Sequence, residues 1–254
     1  MKRVLVIVPF PMSEENRDLR RQQVETAALG PDIVFDFRSV RAAPRNYISS
    51  ADLVLADLGM LEAGLAAEAE GYDAICIDTV SDSGVAALRS ELSIAVIGPG
   101  RTAVLAAMML GNRFSIVTMW DHWRHLYERI LNDLGLAHAC ASIRSLDVVP
   151  DNQALMTGKE DEIFPALEEL AHTCIAADGA QVIILGSTTM HQAHAHLSQH
   201  LPVPVINPGP LSYKIAEALL GLDLAHSRAA HPKTHTSRRD MLHAMLDRAE
   251  TFDH

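Results

Sequence analysis

Cysteine is scarce in this chain: Cys76, Cys140 and Cys174 are the only three in 254 residues, scattered with neither metal-ligand spacing nor a disulfide framework. That usage fits a reducing, cytoplasmic setting. Long apolar runs are missing too, and without a stretch of ~18 such residues no membrane partner is expected. Basic charge is in deficit: the formal net charge of −11 argues against a nucleic-acid partner. The N-terminal MKRVLVIVPF lacks a small-residue cleavage site and runs into Pro9 and Pro11, so it reads as a first strand and not as a leader. No Gly/Ser-rich linker breaks the chain, so any two lobes are joined by short connections.

What is present is a chain with 48% hydrophobic residues, enough to bury a substantial core. Apolar runs alternate with amphipathic stretches, the pattern of an α/β protein whose parallel sheet is covered by helices. Candidate strands are VLVIVPF, DIVFDFRSV, DAICIDTV, IAVIGP, FSIVTM, HACASIRSLDV, QVIILG and VPVIN. Between them, Ser13 and then Ser49 or Ser50 suit helix N-termini. Pro165 either sits in a first turn or kinks its helix.

The organising stretch is 179–192, GAQVIILGSTTMHQ, a buried strand that stops in a hydroxyl cluster, Ser187, Thr188 and Thr189. Ligands of open α/β sheets bind at carboxyl ends of strands, although Ser and Thr there are equally ordinary helix caps. The chain contains this stretch twice. GYDAICIDTVSDSG at 71–84 matches it, placing Thr79 opposite Ser187. LSIAVIGPGRTAVLAAMMLG then matches LPVPVINPGPLSYKIAEALLG, and VLVIVPF matches FSIVTMW. The order and near-constant offset indicate an internal duplication. The expected architecture is two pseudosymmetric lobes, residues 1–96 with 209–254 and residues 97–208, each a parallel sheet flanked by helices. In that arrangement Thr79 and Ser187 come from equivalent strand ends and meet in a cleft.

These pieces, together with GLDLAHSRAAHPK near the end, resemble the Asp/Glu/hydantoin racemase superfamily, and within it the hydantoin and allantoin racemase branch more than glutamate racemase. The resemblance covers most of the chain. It implies two lobes around a cleft, no organic cofactor, and two cysteines that exchange a proton on opposite faces of a carbon next to a carbonyl. This chain departs at that point, because Thr79 and Ser187 stand where the two cysteines would be. Cys76 lies three residues too early, within a strand, and all three cysteines read as packing. A thiol titrates near ~8.5 and an unactivated hydroxyl near water's ~15.7, a gap of about 10 kcal/mol. Either a base activates the hydroxyls or the reaction differs.

Candidate bases are Asp78, which flanks Thr79, and His191, four residues after Ser187. Asp82 reads better as a helix cap, and His191 reads equally as a surface histidine. The cluster His191, His194, His196 and His200 has no nearby acidic partner at helical spacing, so no metal site is assigned. For holding substrate the candidates are Pro11 and Ser13 in the first loop, Thr118 and Met119 at the equivalent strand end, and Ser81 and Thr188 beside the two hydroxyls. Phe10, Met12, Trp120 and Trp123 point either to an apolar substrate or to core. The reading is a cofactor-independent racemase or isomerase acting next to a carbonyl of a small carboxylate or cyclic amide. The alternatives are a hydrolase or decarboxylase using Ser187, or a binding protein that kept the cleft. A homo-oligomer is expected.

Overall fold

The alternation of apolar and amphipathic segments resolves into parallel sheets and helices in the computed structural model, which describes residues 1–149, 160–233 and 239–249. The chain divides into two units, Met1–Gly98 with Ser212–His254, and Pro99–Leu211.

The first unit holds strands β1 (Lys2–Val8), β2 (Ile33–Ser39), β3 (Ala74–Ile77) and β4 (Ala95–Ile97), in the order β2-β1-β3-β4 and all parallel. The second holds β5 (Phe114–Thr118), β6 (Cys140–Ser145), β7 (Val182–Leu185) and β8 (Val205–Ile206), in the order β6-β5-β7-β8. The duplication is visible in the register: Val4 pairs with Ala74 as Phe114 pairs with Val182, and Ile75 pairs with Val96 as Ile183 pairs with Val205. The sequence offsets carry each pair onto its counterpart.

Helices cover both faces of the first sheet. Leu5, Ile7, Ile75 and Ile77 pack on Met60 and Leu88 of α2 (Ser50–Gly64) and α3 (Val85–Glu91). Val4, Val6, Val8 and Cys76 point the other way, with Tyr213 and Ala216. Burial on both faces is why these strands read as continuous apolar runs. Helix α1 (Glu14–Glu25) starts at Ser13, whose hydroxyl accepts from Asn16 N, and α2 starts at Ser49 with a capping box closed by Asp52. In both halves the helix after the fourth strand opens on proline: α4 at Pro99–Leu110 and α8 at Pro208–Gly221. Proline suits a first helical position, where its missing N–H has no partner to lose.

The second unit adds α5 (Arg124–Leu134), α6 (Glu160–Asp178, with Pro165 inside it) and α7 (Ala193–His200). Two features went unseen in the sequence pattern. Helix α3 has only seven residues, too few for a clear period, and a 3-10 turn, Thr188–Met190, stands before α7. The last helix, α9 (Arg239–Ala249), lays Leu242 and Leu246 on Ala42 and Leu58 in the first unit. The segment before it is held along the same unit, with His226 Nε2 3.0 Å from the Leu92 carbonyl and Arg228 donating to the Arg89 carbonyl at 2.9 Å. Residues 234–238 of the basic tail lie outside the described residues. No described helix is long and apolar enough to cross a membrane.

Candidate active site

The ends of β3 and β7 are built alike. Asp78 N donates to the Ile7 carbonyl at 2.9 Å, and Gly186 N donates to the Val117 carbonyl at 2.7 Å, so each middle strand's last ladder bond delivers the next residue to the same place. That residue is Thr79 in one unit and Ser187 in the other, both half-buried.

Each hydroxyl turns onto a second one two residues later. Thr79 Oγ1 lies 3.1 Å from Ser81 Oγ, and Ser187 Oγ lies 2.7 Å from Thr189 Oγ1. The backbone follows: Ser81 N donates to Thr79 Oγ1 at 3.5 Å, and Thr189 N to Ser187 Oγ at 3.2 Å. The first chain continues one step further, with Ser81 Oγ 2.9 Å from Ser83 Oγ. Thr189 stands opposite Ser81 at the offset that sets Thr79 on Ser187, a signal legible in the sequence; Thr188, Thr189 and Ser81 are all buried.

Behind each hydroxyl is a polar brace from the helix that follows the first strand. In the first unit Asp78 is 2% exposed, with Arg20 Nη1 3.4 Å from one carboxylate oxygen and Gln23 Nε2 donating to the other at 3.4 Å. Its carboxylate therefore faces α1, on the side of the sheet opposite Ile75 and Ile77. In the second unit Tyr127 of α5 donates to the Gly186 carbonyl at 2.7 Å, and its oxygen lies 2.7 Å from Thr118 Oγ1. Thr118, expected to face substrate, is 0% exposed and part of this brace, and Met119 beside it is also buried. Arg20, Gln23 and Tyr127 carried no sequence signal, since helical spacing alone does not say which side chain reaches a distant strand end.

The other expected residues are placed as follows. Ser13 and Pro11 are exposed in the loop after β1, where the Ser13 hydroxyl caps α1. His191 is half-buried at the end of the 3-10 turn, and its carbonyl accepts from Asn207 Nδ2 at 3.3 Å. Asp82 has φ +54°, and its carboxylate lies against Gly98, where a Cβ would meet it at 2.4 Å. Phe10, half-buried, packs on Tyr47 with ring centroids 5.3 Å apart, Met12 packs half-buried against the first sheet's core, Trp123 is buried, and Trp120 is half-buried with its ring centroid 6.4 Å from that of Trp123.

The cysteines are not poised for proton transfer. Burial pushes Cys76 up to about 12, despite its contact with the Ser212 carbonyl, and Cys140 up to about 11, and it raises Cys174 as well. Thiols held in this way stay protonated. Each strand end therefore carries a pair of hydroxyls ordered by hydrogen bonds and supported from behind, groups able to bind a carbonyl or carboxylate oxygen.

Comparison with known proteins identifies the family. The model of the Asp/Glu/hydantoin racemase family matches residues 19–216. A hydantoin racemase of Rhizobium meliloti is 31% identical over 200 residues, 75% of this chain and 79% of that protein. A hydantoin racemase of Paenarthrobacter aurescens is 30% identical over 234 residues, covering 89% and 94%. The allantoin racemase structure from Klebsiella pneumoniae superposes with a TM-score of 0.84 at 26% identity, over 93% of this chain and 95% of that one. The chain belongs to the Asp/Glu/hydantoin racemase family and is an enzyme of racemase or isomerase type.

Proposed function

We propose that the enzyme inverts or isomerises the carbon next to a carbonyl in a hydantoin-like cyclic amide or a small carboxylate, with Thr79 and Ser187 handling the migrating proton. The observation that carries this reading is the repeated hydroxyl pair, Thr79 with Ser81 and Ser187 with Thr189, at strand ends of matching register. A hydroxyl is a poor base, and hydrogen bonds to its oxygen favour the deprotonated form. The Thr189 N–H and hydroxyl are placed to do this for Ser187. His191 is the base assigned to Ser187. Asp78, held against Arg20, positions Thr79 and takes no proton from the substrate. Pro11, Ser13 and the N-terminus of α1 take the substrate's polar end, while Ser81, Thr118, Met119 and Thr188 back the site from the interior.

The reaction moves only a proton, which is why no cofactor is proposed. Free cysteines suit a cytoplasmic enzyme. A homo-oligomer is supported by α4, which exposes Leu105 and Met109 one turn apart. A second reading rests on the hydroxyls themselves: Ser187 as nucleophile or oxyanion donor, in hydrolysis or decarboxylation.

Proton NMR in D2O tests both, with hydantoins, allantoin, amino acids and aryl or alkyl malonates as substrates. The proposed chemistry gives loss of the α-proton signal, slowed about a hundredfold or more by Ser187→Ala and by Thr79→Ala, an effect typical of losing a proton-transfer group. Exchange that survives both substitutions removes these hydroxyls from the mechanism. New products without exchange move the assignment to hydrolysis or decarboxylation.

A further inference from the structure

Helices α6 and α7 pack together, and their outer faces bring four ligand-type side chains into one cluster. His196 Nε2 lies 2.7 Å from Glu168 Oε2, and His172 Nε2 lies 3.8 Å from Glu168 Oε1. The His200 ring stacks on His196 with centroids 4.3 Å apart. One ligand atom each from Glu168, His196 and His200 lies within 4.8 Å of the others. We propose that this cluster is a divalent metal site of the zinc class, with Glu168, His196 and His200 as ligands and His172 at its rim.

The backbone supports the assignment. Glu168 and His172 are one helical turn apart on α6, and His196 and His200 are one turn apart on α7, so each helix presents two of the four side chains on one face. His200 Nδ1 is 2.7 Å from the His196 carbonyl. A carbonyl only accepts, so Nδ1 carries the proton and Nε2 is left with its lone pair. That is how ligating imidazoles are oriented: the second nitrogen donates to a backbone carbonyl and fixes the tautomer. His196 Nε2 donates to the Glu168 carboxylate; on metal binding that proton shifts to His196 Nδ1, so the imidazole stays neutral and both Nε2 and the carboxylate offer lone pairs to the ion. Two imidazoles and one carboxylate suit Zn²⁺ and neighbouring first-row cations, with a fourth position for water or His172. The metal would clamp α7 to α6, and α7 is the helix reached directly from the Ser187 loop.

Isothermal titration of the full, untagged chain with Zn²⁺ tests this, with melting temperature as a second readout. One equivalent of tight zinc is expected, together with a rise in melting temperature. His200→Ala and Glu168→Gln should each weaken binding by about tenfold or more, and the triple variant Glu168→Gln, His196→Ala, His200→Ala should abolish it. These side chains are half-buried or exposed, and circular dichroism confirms that the variants fold. His138→Ala on a separate surface turn, and His231→Ala with His235→Ala in the tail, should bind as wild type. No binding at about 1 mM zinc overturns the site, as does binding undiminished in the triple variant or lost in the tail variant.

Discussion

Gly186 stands one residue before Ser187 with no room for a side chain. A Cβ there would lie 2.7 Å from Thr118 Cβ and 2.7 Å from the Tyr127 oxygen, inside contact distance for both. Gly186→Ala is therefore expected to destabilise the chain by about 1–3 kcal/mol, the usual cost of overpacking, and to displace the Ser187 hydroxyl. Tyr127→Phe acts from the other side, leaving the Gly186 carbonyl and the Thr118 hydroxyl short of a partner, at a cost of about 1–3 kcal/mol. Urea denaturation measures both. A Tyr127→Phe variant as stable as wild type would show that water replaces the phenol. Such replacements reach Ser187 without altering it, which separates the hydroxyl's chemistry from its placement.

Between elements, the brace from α1 to β3 is an ion pair buried on both sides, with side-chain exposures of 3% for Arg20 and 0% for Asp78. Bringing both charges out of water is costly, and the pair offsets that cost only while both members are present. Arg20→Ala strands the carboxylate and is expected to cost about 3–5 kcal/mol, whereas Arg20→Met combined with Asp78→Asn should recover part of that loss. Denaturant titration of the single and double variants gives the coupling. Costs that simply add would mean that Asp78 is held by other groups. The second unit meets the same need with a neutral phenol and a backbone carbonyl, so the duplicated scaffold keeps the brace while its chemistry has diverged.

At the scale of the whole molecule, the duplicated halves share strand order and register, and α4 leaves apolar surface uncovered. Leu105, Met109 and Leu110 are 47%, 86% and 56% exposed. Burial of such side chains is worth about 25 cal/mol per Å² of apolar area, and association is one way to obtain it. Sedimentation velocity should show an oligomer that Leu105→Arg with Met109→Arg drives toward monomer. A wild-type monomer at working concentration would leave that surface without a role in assembly.

Local pattern was enough for much of this protein. Continuous apolar runs marked buried parallel strands, serines marked helix starts, and constant offsets between repeats set Thr79 opposite Ser187, because side-chain alternation and capping are properties of neighbouring residues. Family resemblance, too, was carried by motifs in order along the chain. The partners of the hydroxyls were not legible in that way. Tyr127 meets Gly186 across 59 residues and Gln23 meets Asp78 across 55, contacts that depend on how each helix is rotated about its axis against the sheet. The histidines of α7 illustrate the difference most clearly. In sequence they lack an acidic partner at helical spacing, and packing supplies one, because Glu168 arrives from α6, 28 residues away.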